Sequence, residues 1–191
     1  MAEDYKIMIA GPLFNPKERE EELEIATALE KEGFLTYLPQ RDGLLFADIV
    51  KTFKNPTKEK RDAVMNLIGH YDAYNAVDKC DGVLLNLNGR VPDEGGLVEG
   101  AIAFAKGKDV VAYKEDGRSL IQGYDNPLVR VLSDFKVVDS IEDIPKEFKK
   151  LFFGEHRNTL GDVLMKSRQI FTEDRYSAED LAALAIRHFM D

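Results

Sequence analysis

The fold is decided by residues 82–113, which read GVLLNLNGRVPDEGGLVEGAIAFAKGKDVVAY. A short apolar run at Gly82–Leu87 predicts a buried strand, and small and apolar residues from about Gly96 to Lys106 predict a helix. A second apolar run at Asp109–Tyr113 predicts another strand. Because strand, helix and strand follow one another in so short a stretch, we expect two parallel strands joined by a right-handed crossover.

The same alternation continues in both directions from this stretch. Tyr5–Ala10 and Phe34–Leu38 predict two earlier strands, and Phe135–Val138 predicts a later one, which gives a parallel sheet of five strands. Ligands of such sheets bind beyond the carboxyl ends of the strands. Three loops are therefore candidates for the functional site, namely Gly11–Asn15, Pro39–Gly43 and Asn88–Gly95.

Helical patterns occupy most segments between the strands, and two more follow the sheet. The segment Gln40–Asn55 mixes apolar residues with charges, and we expect an irregular excursion there. Residues 1–153 are predicted to form one α/β domain and residues 154–191 a C-terminal helical extension. The predicted helices span about 16–31, 58–79, 141–153, 160–171 and 178–190.

Charge and composition narrow the class of partner. The chain has 191 residues and a formal net charge of −9, which argues against nucleic acid or an anionic membrane as the main partner. The single cysteine, Cys80, is consistent with a reducing compartment. No signal peptide or long apolar run is apparent, so we expect a cytoplasmic protein. Neither zinc-ligand spacing nor a nucleotide-binding glycine motif occurs, so we expect no metal and no cofactor.

Two carboxylates frame the start of the predicted helix in the deciding stretch. Asp93 lies in the loop after the third strand, and Glu99 follows six residues later near the helix start. We expect the helix dipole to favour the ionised form of Glu99, which covalent catalysis at a sugar carbon requires. Gly95 allows a tight turn and a close approach of ligand to backbone. For Asp93 alone, simple capping of the helix is an equally good interpretation.

Other candidate residues follow the first two strands or precede the third. Phe14, in the first loop, can stack on a planar ring, or it can be an ordinary core residue of a turn. Gln40 and Asp42, after the second strand, offer hydrogen-bonding groups for the edge of a base. Asp72 lies on the helix before the third strand, where a solvated helix face is the simpler interpretation.

These motifs together resemble the nucleoside 2-deoxyribosyltransferase family. KIMIAGPLFNPKE at 6–18 is similar to the family's opening motif, LPQRDG at 38–43 to its second-strand loop, and DEGGLVEGAIAFAKGKDVV at 93–111 to its signature. The resemblance covers about residues 5–150. The segment from Asp72 to Asp81 is one residue longer than is usual in the family.

The resemblance implies a flavodoxin-like, doubly wound fold and a reaction. Glu99 would be the nucleophile, Asp93 and Asp72 its supporting carboxylates, and Asn126 the residue that reaches the sugar 5′-hydroxyl in a neighbouring subunit. The substrates would be a deoxynucleoside and a free base, and the protein a homo-oligomer. The reaction would be a double displacement with retained configuration and without metal or organic cofactor.

Two other functions stay open at the level of sequence. A hydrolase of the N-glycosidic bond in nucleosides or their 5′-monophosphates would use the same residues with water as acceptor. The first loop has no serine or arginine for a phosphate, although it contains Lys17, and this favours free nucleosides. A nucleotide-binding sensor would need no nucleophile at all.

Overall fold

The computed structural model describes residues 4–89, 91–117, 124–154, 158–173 and 175–190. The chain divides into two compact units, residues 1–157 and residues 158–191. The predicted boundary at residues 153 and 154 lies a few residues earlier. Each unit is described here by itself.

The first unit is built on a parallel five-stranded sheet. Its strand order is β2-β1-β3-β4-β5, and every neighbouring pair is parallel. The parallel sheet is the one that the alternation of strands and helices predicts, and its strand order is that of the doubly wound, flavodoxin-like α/β fold that the resemblance implies. The five strands are β1 (Lys6–Ala10), β2 (Leu35–Tyr37), β3 (Gly82–Asn86), β4 (Asp109–Tyr113) and β5 (Val137–Val138).

Seven α-helices belong to this described unit, and most of them match the predicted segments. The prediction of an irregular segment over Gln40–Asn55 was wrong, because two short helices form there, the first of them opened by Pro39. The short helix α6 was not predicted. The helices are α1 (Pro16–Lys31), α2 (Pro39–Asp42), α3 (Phe46–Lys51), α4 (Lys58–Tyr74), α5 (Glu94–Ala105), α6 (Pro127–Val131) and α7 (Ile144–Phe153).

The two faces of the sheet are covered by different helices. Alternate residues of β1, Ile7 and Ile9, join the core formed with α1 and α7, where Ile25 and Phe148 are fully buried. Strand side chains alternate between faces, so the intervening Met8 projects to the opposite face. That second face is covered by α5.

The segment predicted as one helix over residues 58–79 has two parts. The helix α4 ends at Tyr74, and a π-helical turn follows over Asn75–Lys79. The backbone nitrogen of Cys80 donates to the carbonyl oxygen of Asn75 at 3.0 Å, the wider spacing that defines such a turn. The buried Asn75 side chain donates to the Tyr71 carbonyl at 2.8 Å.

The second unit contains two amphipathic helices, α8 (Leu160–Ile170) and α9 (Ala178–Phe189). Ser177 and Asp180 form a capping box at the start of α9. Among the residues described, no helix has the length and apolar character needed to cross a bilayer.

Candidate active site

The site lies where the strand order reverses direction. Chain leaving β1 continues into α1 on one face of the sheet, and chain leaving β3 continues into α5 on the other. A crevice opens between two such diverging connections at the carboxyl ends of the strands. Each side of this crevice carries a cluster of polar residues.

Asp93 fixes the start of α5. Its Oδ2 atom accepts a hydrogen bond of 2.6 Å from the backbone nitrogen of Gly96, as an N-cap residue does. A side chain at Gly96 would approach the carbonyl group of Ala10 to 3.3 Å, so this glycine lets α5 pack directly on the end of β1. The cap and the close packing together hold Asp93 at the edge of the sheet.

Glu99 lies in the second turn of α5, one turn further from the helix start than expected. Burial, together with the negative charges of Asp72 and Asp93, raises its pKa to about 8. The expectation that the helix dipole would keep Glu99 ionised was therefore wrong for the free protein. Desolvation and two like charges outweigh the dipole, whose influence is greatest at the first turn.

Asp72 joins this group from α4. Its carboxyl is half-buried, and burial raises its pKa above the ordinary value. Asp72 and Asp93 both act electrostatically on Glu99. The three side chains form what we call the carboxylate cluster, in which like charges in a partly desolvated place favour retention of a proton.

Sequence reasoning missed Tyr37, the last residue of β2. Its side chain is only 2% exposed, and its hydroxyl oxygen has no hydrogen-bond partner among the described residues. Its ring lies edge-to-face against Tyr71 of α4, with centroids 6.3 Å apart. In the sequence this tyrosine looks like any aromatic residue of a buried strand.

Sequence reasoning also missed Glu22, which lies on α1 among many charged residues. Its side chain is 1% exposed and its Oε2 atom has no partner among the described residues. Asn86 Nδ2 donates to Glu22 Oε1 at 2.9 Å and to Glu21 Oε2 at 3.2 Å. Asn88 Nδ2 donates to Glu21 Oε1 at 2.6 Å. Burial raises the pKa of Glu22 to about 8, and the Asn86 hydrogen bond opposes this only in part.

A cleft of about 540 Å³ lies on the α1 side of the same edge. The members of the carboxylate cluster are not among the residues that line it. Four of the lining side chains are acidic and one, Lys17, is basic, so the cleft disfavours an anion. Its lining residues are Pro12, Asn15, Lys17, Glu18, Glu21, Asn88, Gly89, Glu115 and Asp116.

The predicted base-binding residues differ in their exposure and in the hydrogen bonds that they already make. Phe14 is 79% exposed at the start of α1 and is available for stacking. Gln40 donates through Nε2 to the carbonyl oxygen of Arg19 at 2.7 Å. Asp42 accepts from the Leu38 backbone nitrogen at 2.9 Å and pairs with its neighbour Arg41. The structure thus gives Asp42 a role in the α2 turn.

Asn126 is the exposed N-cap of α6, and its Oδ1 atom accepts from the Leu128 backbone nitrogen at 2.9 Å. The preceding residue, Asp125, forms a buried ion pair with Lys114 at 2.5 Å. The ion pair therefore holds Asp125 in place, and the cap holds Asn126.

Gly95, in the first turn of α5, lies beside Asp93, whose Oδ2 atom would be 3.1 Å from an added Cβ.

Within the part of the chain that the structure describes, no three histidine, cysteine or acidic side chains are arranged to hold a metal ion.

The fold and this edge define an α/β protein whose candidate site is built from carboxylates at a topological switch point. The chain belongs to the nucleoside 2-deoxyribosyltransferase family, whose model matches residues 7–173. The match extends past the region over which the sequence motifs carry the resemblance. Among curated protein sequences, none matches the chain significantly.

Two solved structures share the fold. A conserved protein from Enterococcus faecalis V583 superposes with a TM-score of 0.57 at 23% identity, over 76% of this chain and 98% of its own. The 2-deoxyribosyltransferase of Bacillus psychrosaccharolyticus gives a TM-score of 0.50 at 17% identity, over 73% of this chain and 90% of its own. At these identities the likeness concerns the fold alone.

Proposed function

We propose that the protein exchanges nucleobases on 2′-deoxyribonucleosides through a covalent intermediate on Glu99. The observation that carries the proposal is the carboxylate cluster, in which Asp72 and Asp93 act on the partly buried Glu99 carboxyl at the carboxyl edge of the sheet. Structural carboxylates are mostly exposed or paired with cations, whereas perturbed carboxylates in a crevice are typical of catalytic sites. Membership of the family supports the same activity.

The reaction proceeds in two displacements. In the first, an oxygen of ionised Glu99 attacks the anomeric carbon, the bond to the base nitrogen breaks, and Asp93 delivers a proton to that base. In the second, a nitrogen of the incoming base attacks the same carbon, and Glu99 is released. The incoming base returns its proton to Asp93, so the protein is unchanged after one cycle and configuration is retained.

Electrostatics favour free nucleosides over their 5′-monophosphates. The cleft beside the first loop contains Glu18, Glu21, Glu115 and Asp116 against Lys17. A phosphate dianion is repelled by such a surface unless a dedicated cation offsets it. Phe14, which is exposed at this edge, supplies a stacking surface for a base and has no preference for charge.

The test follows free and exchanged base by chromatography. The protein is incubated with a deoxynucleoside in the presence and absence of a second base, and separately with the corresponding 5′-monophosphate. We expect exchanged nucleoside to form faster than free base accumulates, and the nucleoside to react in preference to the monophosphate. Accumulation of free base without exchange product, or preferred use of the monophosphate, would contradict the proposal and favour the hydrolase.

The nucleophile is tested by Glu99→Gln and Glu99→Ala. Loss of a covalent nucleophile removes several orders of magnitude in rate, so retention of more than about a tenth of the wild-type activity rules out the assignment. Glu94→Gln is the matched control, because Glu94 is exposed in the first turn of the same helix. Mass spectrometry of the wild type with substrate should detect a deoxyribosyl adduct that Glu99→Gln lacks.

A further inference from the structure

An unpaired phenol lies at the end of the strand beside β1. Tyr37 is almost completely buried, and its hydroxyl oxygen makes no hydrogen bond to any residue that the structure describes. A buried hydroxyl without a partner is destabilising, and such groups are uncommon in folded proteins. The position therefore requires an explanation other than packing, since a phenylalanine would fill it at lower cost in free energy.

Two observations place the phenol on the face of the sheet that carries the carboxylate cluster. Tyr37 pairs in register with Met8, and paired residues of neighbouring strands project to the same face. The residues adjacent to Met8, Ile7 and Ile9, belong to the core on the opposite face. The edge-to-face contact between Tyr37 and Tyr71 of α4 independently gives the same orientation.

The groups that act on the hydroxyl are predominantly acidic. Burial and the negative charges around Tyr37 raise its pKa well above the ordinary value for tyrosine, so the phenol keeps its proton and acts as a donor. Lys6 Nζ lies 5.5 Å from the centroid of its ring. The titratable groups that act on the phenol are Asp72 and Tyr71 from α4, Glu99 from α5 and Asp42 from α2.

We propose that Tyr37 is a positioning residue whose hydroxyl donates a hydrogen bond to the carboxylate pair of Asp72 and Glu99 once both carboxyls are ionised. A hydrogen bond to a charged acceptor is stronger than one to a neutral acceptor, so the bond favours the doubly ionised pair. It stabilises the state from which Glu99 attacks and holds that carboxylate in place. The inference rests on the proposed function of Glu99.

The test is Tyr37→Phe, which removes only the hydroxyl. The side-chain carboxyls are labelled with ¹³C and titrated by NMR without substrate, and Glu99→Gln assigns the Glu99 signal. We expect the pKa of the pair to rise by about one unit in Tyr37→Phe, which corresponds to a tenfold weaker preference for the charged form. We expect kcat to fall about 10- to 100-fold, the effect of losing one hydrogen bond to a charged group, with little change in KM.

Tyr5→Phe is the matched control, because Tyr5 precedes the opposite end of β1, where it stacks on Phe152 with centroids 4.4 Å apart. It should leave the carboxyl titration and kcat unchanged. We expect the melting temperature of Tyr37→Phe to equal or exceed that of the wild type, since the hydroxyl has no partner to lose.

Two results would overturn the inference. One is an unchanged carboxyl titration in Tyr37→Phe, and the other is a rise in KM with kcat unchanged, which would make the phenol a substrate contact. Because the titration needs no substrate, it decides the role of Tyr37 even when the wild type shows no base exchange. Absence of base exchange in the wild type would contradict the proposed function and would leave the result for Tyr37 standing.

Discussion

Asn86 Nδ2 donates a hydrogen bond of 2.9 Å to Glu22 Oε1 at the point where β3 ends and α1 crosses over it. The second oxygen of this buried carboxyl has no partner among the described residues, and burial raises its pKa to about 8. Folding therefore takes up a proton at neutral pH. Glu22 and the carboxylate cluster lie at the same sheet edge, and Asp93 acts electrostatically on both.

Glu22→Gln should stabilise the protein in a pH-dependent way. A carboxyl whose pKa rises from 4.5 to about 8 on folding makes the wild type progressively less stable as pH increases through that interval. The amide keeps an oxygen for Asn86 and has no charge to desolvate. We expect a higher melting temperature for the variant at about pH 8, and convergence with the wild type near about pH 4, below the ordinary carboxyl pKa. Glu20→Gln, exposed on the same helix, controls for the change in net charge.

The rate of base exchange should depend on the ionisation of Glu99. Its pKa of about 8 in the free protein means that only a small fraction is ionised at lower pH. We expect the residual kcat/KM of Asp93→Asn, in which no proton donor titrates at this position, to rise about tenfold per pH unit up to about pH 8, because this ratio reports ionisations of the free enzyme. Initial rates measured in overlapping buffers test this, and a flat profile between about pH 6 and pH 8 would contradict it.

Asp93 caps α5, and we propose that it also delivers a proton to the leaving base; Asp93→Asn and Asp93→Ala distinguish these two roles. Asparagine keeps the oxygen that accepts from Gly96, so the cap on α5 persists, whereas alanine loses it at a cost of about 1 kcal/mol of unfolding free energy. Both variants lose the proton that Asp93 delivers, and we expect kcat to fall about 10²- to 10⁴-fold in each. Thermal unfolding and exchange kinetics check the two effects. If Asp93→Asn keeps its activity, Asp93 serves only as the N-cap of α5 and is not the proton donor.

Two buried glycines of α5 should respond in opposite ways to alanine. At Gly96 the added Cβ meets the backbone of Ala10 at 3.3 Å, which can yield only if α5 moves away from β1. At Gly100 the nearest atom is the end of the Leu85 side chain at 3.4 Å, which can rotate. We expect Gly100→Ala to gain about 0.5–1 kcal/mol from helix propensity, and Gly96→Ala to lose stability and activity. Equal melting temperatures for the two would show that the close packing is unimportant.

Asn126 is predicted to complete the site of a neighbouring subunit, and mixing inactive variants tests this. Glu99→Gln and Asn126→Ala are unfolded together and refolded as a mixture. If Asn126 acts on a neighbouring subunit, half of the sites in mixed dimers are intact, and about a quarter of the wild-type activity returns. If it acts within its own chain, or if the active protein is a monomer by light scattering, no activity returns.

The sequence predicts the sheet well because each strand is a compact apolar run with clear ends. Asp93 and Glu99 are found for a similar reason, since they stand within one short segment beside glycines that mark a turn and a helix start. The protonation of Glu99, in contrast, cannot be predicted from this segment. It depends on Asp72, about 20 residues earlier, and on burial by the whole fold.

Tyr37 and Glu22 could not be identified from their own segments. Tyr37 sits in an apolar strand where an aromatic residue is unremarkable, and its unpaired hydroxyl depends on packing against α4, some 30 residues later. Glu22 belongs to an acidic run, PKEREEELE, in which a solvated helix face is the ordinary expectation. Only its contact with Asn86, from β3, reveals that one glutamate of that run is buried.

The π-helical turn at Asn75–Lys79 lies between α4, which carries Asp72, and the strand β3. A turn of this kind takes in one residue more than an α-helical turn, so it can accommodate one additional residue between Asp72 and Asp81. Asp72 lies before the turn and β3 begins after it. The length of this connection can therefore change by one residue while Asp72 and β3 keep their orientation.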